Sequence, residues 1–273
     1  IYEANHVKCA YVGLDEEGLS MSALRRSGAN VVHISPSHHY PTGIVTPIAR
    51  RRELLSWACE AEGRYILEDD YDSEFRLTGR PIQTLQSIDE NEKVLYLNTF
   101  SKSIAPSMRI GYMVLPPHLL ERFRRTLGFY ACTVPSFEQY TLARFIASGA
   151  FEQHINRTRL FYRAQRDRII AMLQQSSLQS RFTVLEKDSG LHFLLRVQTK
   201  RSDRELTALA ARAGIRVPFL SGYLHTADSR FDHIAVVNYA AIDTERLSDA
   251  LGRLENILTG HELPEKKTQP NHY

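Results

Sequence analysis

A lysine stands where an apolar run gives way to hydroxyl side chains. The run covers residues 94–97, the lysine is Lys102, and Thr99 and Ser101 lie between them. An amine that leaves a buried strand among hydroxyl donors is placed to form an imine with a carbonyl cofactor, provided that desolvation or a neighbouring cation lowers its pKa. Taken alone, a lysine after a strand is more often a solvated surface residue.

An acid and an arginine on either side of Lys102 extend the pattern. Asp69 follows the apolar residues 65–67, so its carboxylate is placed to enter a cleft and keep a pyridine nitrogen protonated. Arg109 comes after a proline turn, and its planar guanidinium suits a phosphate dianion. Tyr71 either donates its hydroxyl to a phenolate oxygen or packs in the core. An amine, an anion and a cation beside hydroxyls together predict pyridoxal 5'-phosphate as cofactor.

A turn with two histidines and a tyrosine precedes these residues. Pro41 and Gly43 impose the turn, and either His39 or Tyr40 is placed to face the cofactor. His38 and His39 are adjacent and lack the i, i+4 spacing of a helical metal site, so the sequence predicts no metal.

Other polar groups have simpler explanations. Asp70 and Asp72 are typical of helix or turn caps. The basic run at residues 50–52 predicts the solvated first turn of a helix and not a phosphate cradle. A hydrolase triad is discounted because no nucleophile elbow surrounds any serine. Its members would be Ser221, His225 and Asp228.

Composition limits the class of protein. The chain has 273 residues and is 43% apolar, which allows one large globular domain or two modest ones. Its 34 basic and 31 acidic residues are interspersed, so the chain carries no electrostatic footprint for nucleic acid. With no apolar stretch of bilayer-spanning length and no signal peptide, the sequence predicts a cytoplasmic protein without a membrane partner. Its three cysteines predict reduced, mostly packed thiols.

Short apolar strands alternate with helices through the first half of the chain. The patterns predict strands at residues 30–35, 64–67, 94–100 and 110–115, and a helix at residues 48–62. This order indicates a mostly parallel sheet covered by helices, hence an α/β fold. Chemistry in such sheets collects beyond the carboxyl ends of the strands, where the residues named above are placed.

The second half predicts a smaller α+β domain. A capping box at Ser136 is expected to begin a helix that ends near Gly149. The later predicted elements are a helix at 151–175, antiparallel strands at 181–186 and 191–197, a helix at 203–213, a strand at 233–239 and a helix at 244–258. The predicted organisation is a large cofactor-binding domain at 1–150, a small domain at 151–260 and a disordered tail at 261–273. The chain is expected to be part of a longer protein.

Three motifs together resemble one family. SHHYPTG at residues 37–43, EDDYDSEF at 68–75 and TFSKSIAPSMRIGY at 99–112 resemble the aminotransferase-like domain of MocR/GabR-type transcriptional regulators of the GntR family. The resemblance runs from about Gly13 to Leu258. Such regulators join a winged-helix DNA-binding domain to a fold-type I, pyridoxal-phosphate-binding domain, so the resemblance implies that fold and a homodimer here.

The resemblance also implies roles for particular residues. Lys102 would form the Schiff base, Asp69 would partner the pyridine nitrogen and Tyr71 would neighbour the phenolic oxygen. The phosphate candidates would be Thr99, Ser101 and Arg109. Two departures from true aminotransferases stand out. Tyr40 replaces the asparagine before Pro-Thr-Gly, and residues 236–239 lack the arginine that binds a substrate carboxylate.

Three functions are weighed on this basis. The first is an effector-sensing domain in which an amino compound exchanges with the imine at Lys102, with DNA bound only through a winged helix outside this chain. The alternative is an aminotransferase acting between an amino acid and a 2-oxo acid, with Lys102 moving the proton. The third is a remnant with neither activity, because part of the cofactor cradle lies upstream of Ile1.

Overall fold

A computed structural model describes residues 1–77, 82–186, 188 and 190–259. The chain divides into two compact units, Ile1–Phe161 with Asp188–Leu191, and Tyr162–Lys187 with His192–Tyr273. The division falls inside a long helix that begins at Ala150, about eleven residues after the boundary at residue 150 that was expected from the sequence. The tail predicted at 261–273 lies outside the described residues.

The first unit contains a hairpin, a larger sheet and surrounding helices. Its strands are β1 (Leu14–Asp15), β2 (Gly18–Leu19), β3 (Val31–Ile34), β4 (Tyr65–Asp70), β5 (Val94–Thr99) and β6 (Gly111–Val114). Its helices are α1 (Met21–Ser27), α2 (Ile48–Cys59), α3 (Phe100–Ser103), α4 (Pro117–Leu127), α5 (Ser136–Ala147) and the first part of α6 (Ala150–Gln175). Within the described residues, no helix combines the length and apolar character needed to cross a membrane.

The larger sheet confirms the predicted, mostly parallel arrangement. Its strand order is β3-β4-β5-β6, with β3, β4 and β5 parallel and β6 antiparallel to β5. Strand β4 continues through Asp70, beyond the predicted end at Leu67. The acids stay in the strand because Glu68 is buried and accepts backbone N–H bonds from Leu85 and Gln86. Asp69 therefore lies inside the strand. The prediction that it follows the strand is wrong.

The core of this unit lies where α1 and α2 pack on the sheet. Its buried members come from both helices, from β3, β4 and β5, and from the connection between β4 and β5. They are Leu24, Val32, Leu54, Trp57, Ala58, Ile66, Leu85 and Val94. The three members from α2 are spaced at the helical period, so one side of this helix faces the core.

The prediction that residues 50–52 form a solvated basic turn is wrong for two of the three arginines. Arg50 and Arg51 are buried and only Arg52 is exposed. Arg51 lies three residues before Leu54 on the helix, so the helical period puts it on the buried side of α2. Its guanidinium donates to three backbone carbonyl oxygens, those of Thr46, Pro36 and Gln83.

The second unit contains a three-stranded antiparallel sheet and two helices besides the end of α6. Its elements are β7 (Phe182–Leu185), β8 (Phe193–Val197), α7 (Asp203–Arg212), β9 (Ile234–Val237) and α8 (Thr244–Thr259). The strand order is β7-β8-β9, which confirms the predicted antiparallel pairing of the first two strands. A buried cluster of Leu194, Leu220, Ile234 and Val236 lies in this unit.

Two further expectations fail. The N-cap residue of α5 is Pro135, which has no side chain for capping, so the capping box predicted at Ser136 is wrong. The three cysteines are exposed, contrary to the prediction of mostly packed thiols. Cys59 is the last residue of α2, beyond the buried stripe, and Cys132 lies in an exposed connection after α4.

Candidate functional site

The predicted site residues leave the larger sheet at one edge. Strands β3, β4 and β5 are parallel and paired in register, so their carboxyl ends lie side by side. Antiparallel β6 begins beside the end of β5, where Gly111 pairs with Thr99. Five predicted residues belong to segments that enter or leave the sheet at this edge. They are Tyr40, Tyr71, Ser101, Lys102 and Arg109. The edge matches the place where ligands bind in open α/β sheets.

Lys102 projects from the one-turn helix α3. The ring of Phe100 packs against Tyr112 and Phe151, with centroids 5.6 Å and 5.9 Å apart, and Ser103 is buried. Because successive helical residues are rotated by about 100°, Lys102 lies on the opposite side of the helix from Phe100. It is exposed, and among the described residues its ammonium has no hydrogen-bond or ion-pair partner. Its amine is therefore available to a ligand.

A cation and a hydroxyl lie together beside this helix. Arg109 is exposed, and its Nη1 donates to the Oγ of Ser101 at 3.2 Å. Ser101 Oγ in turn donates to the carbonyl oxygen of Met108 at 2.8 Å, which holds the turn closed. Thr99 is the N-cap residue of α3, yet its side chain caps no N–H group. The single hydrogen of the Ser101 hydroxyl is used in its bond to Met108, whereas the guanidinium of Arg109 has further N–H groups, which suit a phosphate group.

Asp69 is half-buried and pairs with a residue that the sequence analysis did not single out. Its Oδ2 lies 3.4 Å from Nε2 of His33 on the neighbouring strand β3. The other ring nitrogen of His33 lies 3.0 Å from the hydroxyl of Tyr2. Side chains alternate along a strand, so Asp69 faces away from the buried carboxylates of Glu68 and Asp70. Only the parallel pairing of β3 and β4 reveals the histidine.

Tyr71 is held as a hydrogen-bond donor. Its hydroxyl donates to the carbonyl oxygen of His38 at 3.0 Å and lies 3.3 Å from Nδ1 of the same histidine. Burial raises the pKa of Tyr71, and the negative charges of Asp72 and Asp69 add to the rise. The phenol therefore stays protonated and keeps a hydrogen to donate.

The sequence left open whether His39 or Tyr40 faces the cofactor, and the two residues differ in their surroundings. Nδ1 of His39 lies 2.8 Å from the hydroxyl of Thr42, which ties His39 into the turn. Burial, then the neighbouring His38, lower the pKa of His39. Tyr40 is 46% exposed at the sheet edge. Of the two, Tyr40 is therefore the residue accessible to a ligand.

Asp70 and Glu74 lie below this edge of the sheet. Asp70 was expected from the sequence to cap a helix or turn. Asp70 is buried and accepts hydrogen bonds from the hydroxyls of Tyr96 and Ser73, at 2.7 Å and 2.8 Å. Asn98 donates to the Tyr96 hydroxyl at 3.0 Å and to Glu74 at 3.3 Å. Burial raises the pKa of Asp70 and of Glu74. The hydrogen bonds join residues of different strands, so no local sequence motif could predict this network.

The imidazole of His38 is fixed by a buried carboxylate. Its Nδ1 lies 2.9 Å from Oδ2 of Asp72, and both residues are only 3% exposed. Gly190 closes over this pair with a left-handed φ of +67°. A Cβ atom at Gly190 would lie 2.0 Å from His38 and 2.5 Å from Asp72. The site thus needs a glycine from a distant part of the chain.

Gly190→Ala is expected to destabilise the first unit by about 1–3 kcal/mol, because alanine is strained at positive φ and its methyl group collides with the His38–Asp72 pair. Urea unfolding measures the loss. Gly149→Ala is the matched control, since Gly149 also has a positive φ but no atom within 4 Å of the added Cβ. Equal losses in the two variants would show that strain alone acts and that the close contact has no effect.

Comparison with known proteins gives one matching family model, transcriptional regulators that are similar in sequence, and aminotransferase structures that are similar in fold. The family model described as aminotransferase class I and II matches residues 3–254. An uncharacterized HTH-type transcriptional regulator of Bacillus subtilis, YdeL, is 38% identical over 82% of this chain and 48% of its own length. The probable rhizopine catabolism regulatory protein MocR of Rhizobium meliloti is 30% identical over 89% of this chain and 48% of its own. The chain thus spans about half the length of these relatives.

Solved structures agree on the fold. LysN, the α-aminoadipate aminotransferase of Thermus thermophilus, was solved in complex with N-(5'-phosphopyridoxyl)-L-leucine. It matches 91% of this chain and 64% of its own length, with a TM-score of 0.75 and 21% identity. At that identity the likeness establishes the architecture of the chain and leaves its ligand to be argued from the residues.

Proposed function

The chain belongs to the class I and II aminotransferase family, and from this premise we propose that it is the pyridoxal-phosphate-binding, effector-sensing region of a transcriptional regulator. The observation that carries the proposal is the exposed amine of Lys102, which lies at the same sheet edge as the Arg109–Ser101 pair. Relatives that are 30–38% identical bear the names of transcriptional regulators.

The residues at the sheet edge fit the cofactor by their chemistry. Lys102 would bond covalently to its carbonyl carbon, and Asp69 would face the pyridine nitrogen. Tyr71, which keeps its proton, would donate to the phenolate oxygen in place of the His38 carbonyl oxygen, while Tyr40 would border the ring. The phosphate would be held by Thr99, Ser101 and Arg109. When bound, pyridoxal phosphate supplies an electron sink, and that property depends on a carboxylate such as Asp69 keeping the ring nitrogen protonated.

Lys102 is the residue that would respond to an effector. Lys102 would hold the cofactor through Nζ until an amino compound took its place, and Nζ would then take up the proton that the incoming amine gives up. The released Lys102 would lie exposed at the sheet edge. A ligand changes the protein only through its different affinity for two states, so the displaced lysine would bias one state over the other.

The remainder of the regulator would supply the contact with DNA. This chain carries a formal net charge of only +3, so its overall charge gives little attraction to the phosphates of nucleic acid. A winged-helix segment elsewhere in the polypeptide would bind the operator. The proposal includes a homodimer in the cytoplasm, which two-fold related half-sites on DNA would favour.

An aminotransferase is the second candidate. The family itself and the fold favour it, and a released Lys102 has the chemistry to move a proton as a general base. Strand β9 argues against it. Residues 236–239 offer Val236, Val237, Asn238 and the fully buried Tyr239, and no cation for a substrate carboxylate.

Exchange without turnover is the expected behaviour of the full-length protein. Loaded with pyridoxal phosphate, it should change its visible absorption when an amino acid is added, yet form at most one equivalent of 2-oxo acid per site. Free pyridoxal phosphate with the same amino acid is the control for reaction outside the protein. Many equivalents of 2-oxo acid in the presence of a second 2-oxo acid would establish the aminotransferase instead.

A further inference from the structure

The first unit contains a cavity that the proposed cofactor site does not use. Its volume is about 230 Å³ and it lies beside the His38–Asp72 pair. Besides His38, its polar wall residues are Ser37, Asp72, Ser73, Glu74, Arg76 and Arg159. None of them is among the residues proposed to hold pyridoxal phosphate.

Several polar atoms of this wall have no hydrogen-bond partner among the described residues. They include Oγ of Ser37 and Oδ1 of Asp72, on side chains that are 9% and 3% exposed. Oε2 of Glu74 and Nε of Arg76 are also buried, and they too have no hydrogen-bond partner among the described residues. A buried polar group left unsatisfied destabilises the fold, because it has lost its hydrogen bond to water and gained none in return. Four such atoms around one cavity indicate that a polar molecule binds there and makes the missing hydrogen bonds.

The charges of the wall narrow the occupant further. Asp72 and Glu74 bring two negative charges, and Arg76 and Arg159 bring two positive charges. A lone anion would meet the carboxylates and a lone cation would meet the guanidinium groups. A molecule with one ammonium and one carboxylate satisfies both, because charged groups in a low-dielectric cavity need partners of opposite sign.

We propose that this cavity binds a small zwitterion, that is, a short amino acid, without a covalent bond. Its ammonium donates to Asp72 Oδ1 and Ser37 Oγ, and its carboxylate accepts from Arg76 and Arg159. A water molecule occupies about 30 Å³ of liquid, so a cavity of about 230 Å³ has room for roughly eight non-hydrogen atoms, the number in 5-aminopentanoate. The site is therefore selective for chain length as well as for charge.

Calorimetric titration of the full-length protein tests the site apart from the cofactor. In the Lys102→Ala variant without pyridoxal phosphate, no covalent exchange is possible, and we expect glycine, β-alanine or 5-aminopentanoate to bind while the longer 8-aminooctanoate does not. Adding Arg76→Gln should weaken that binding about tenfold or more, the loss of one charge-assisted hydrogen bond. Arg76→Lys keeps the charge and should restore part of the affinity.

Arg26→Gln is the matched control, since Arg26 is an exposed arginine of the same unit away from the cavity wall. Thermal unfolding confirms that each variant is folded. The inference is overturned if no short amino acid binds to the folded Lys102→Ala protein, or if Arg26→Gln weakens binding as much as Arg76→Gln. It is also overturned if binding occurs only with Lys102 and the cofactor present, an outcome that leaves the proposed function intact.

Discussion

Lys102→Ala is expected to abolish the visible absorption band of lysine-bound pyridoxal phosphate in the full-length protein. The band requires a covalent bond to an amine, and Lys102 provides an exposed amine beside the Arg109–Ser101 pair. Without it the cofactor keeps only non-covalent contacts, so borohydride reduction followed by peptide mapping should label no residue in the variant. In the unaltered protein the same treatment should label Lys102 alone.

Lys93→Ala is the matched control for this result. Its ammonium hydrogen-bonds to the backbone carbonyls of Ala61 and Glu62, and it precedes the strand β5 that Lys102 follows. The control should keep the band and the label. A band that survives Lys102→Ala, or a label on another amine, would contradict both the assignment of Lys102 and the proposed function.

The sequence was sufficient for those parts of the site that are local. Lys102, Ser101 and Arg109 lie within one connection between two strands, and the change from apolar to hydroxyl residues marks its start. The strands themselves were predicted because their side chains are β-branched and apolar. Their bounds moved where tertiary contacts decided, as at Glu68, which stays in β4 because it accepts two backbone hydrogen bonds.

The parts that were missed depend on pairing between distant segments. His33 meets Asp69 only through the parallel register of β3 and β4. The His38–Asp72 pair joins the ends of the same two strands, and Gly190 reaches it from another part of the chain. Composition and spacing carry no information about such contacts, because each residue taken alone has an ordinary surface explanation.

The three consecutive arginines of α2 show the same limit within a single helix. A run of positive charge normally indicates a solvated face, and Arg52 fits that expectation. The helical period nevertheless puts Arg51 on the side of Leu54 and Ala58, in the core. Its charge is tolerated there because Glu68, also fully buried, lies 3.7 Å from Nη1. Removing the Arg51 side chain should therefore lower the stability of the protein far more than removing the exposed Arg52 side chain.

Arg51→Leu is expected to lower the free energy of unfolding by about 3–5 kcal/mol, the usual cost of leaving one member of a buried ion pair alone. The carbonyl oxygens of Thr46, Pro36 and Gln83 lose their donor, and the carboxylate of Glu68 loses its positive neighbour. Leucine fills part of the volume but can donate to none of them. Arg51→Lys, which keeps the charge with fewer and differently placed donors, should fall between leucine and arginine.

Urea unfolding of the three proteins beside Arg52→Leu decides the point. Arg52 adjoins Arg51 in sequence but is exposed, and surface substitutions of this kind usually change stability by less than about 0.5 kcal/mol. Helix propensity changes equally in the two leucine variants, so the difference between them isolates the buried contacts of Arg51. If both variants lose the same stability, the hydrogen bonds of Arg51 to the segments that follow β3 and β4 do not contribute to the stability of the fold.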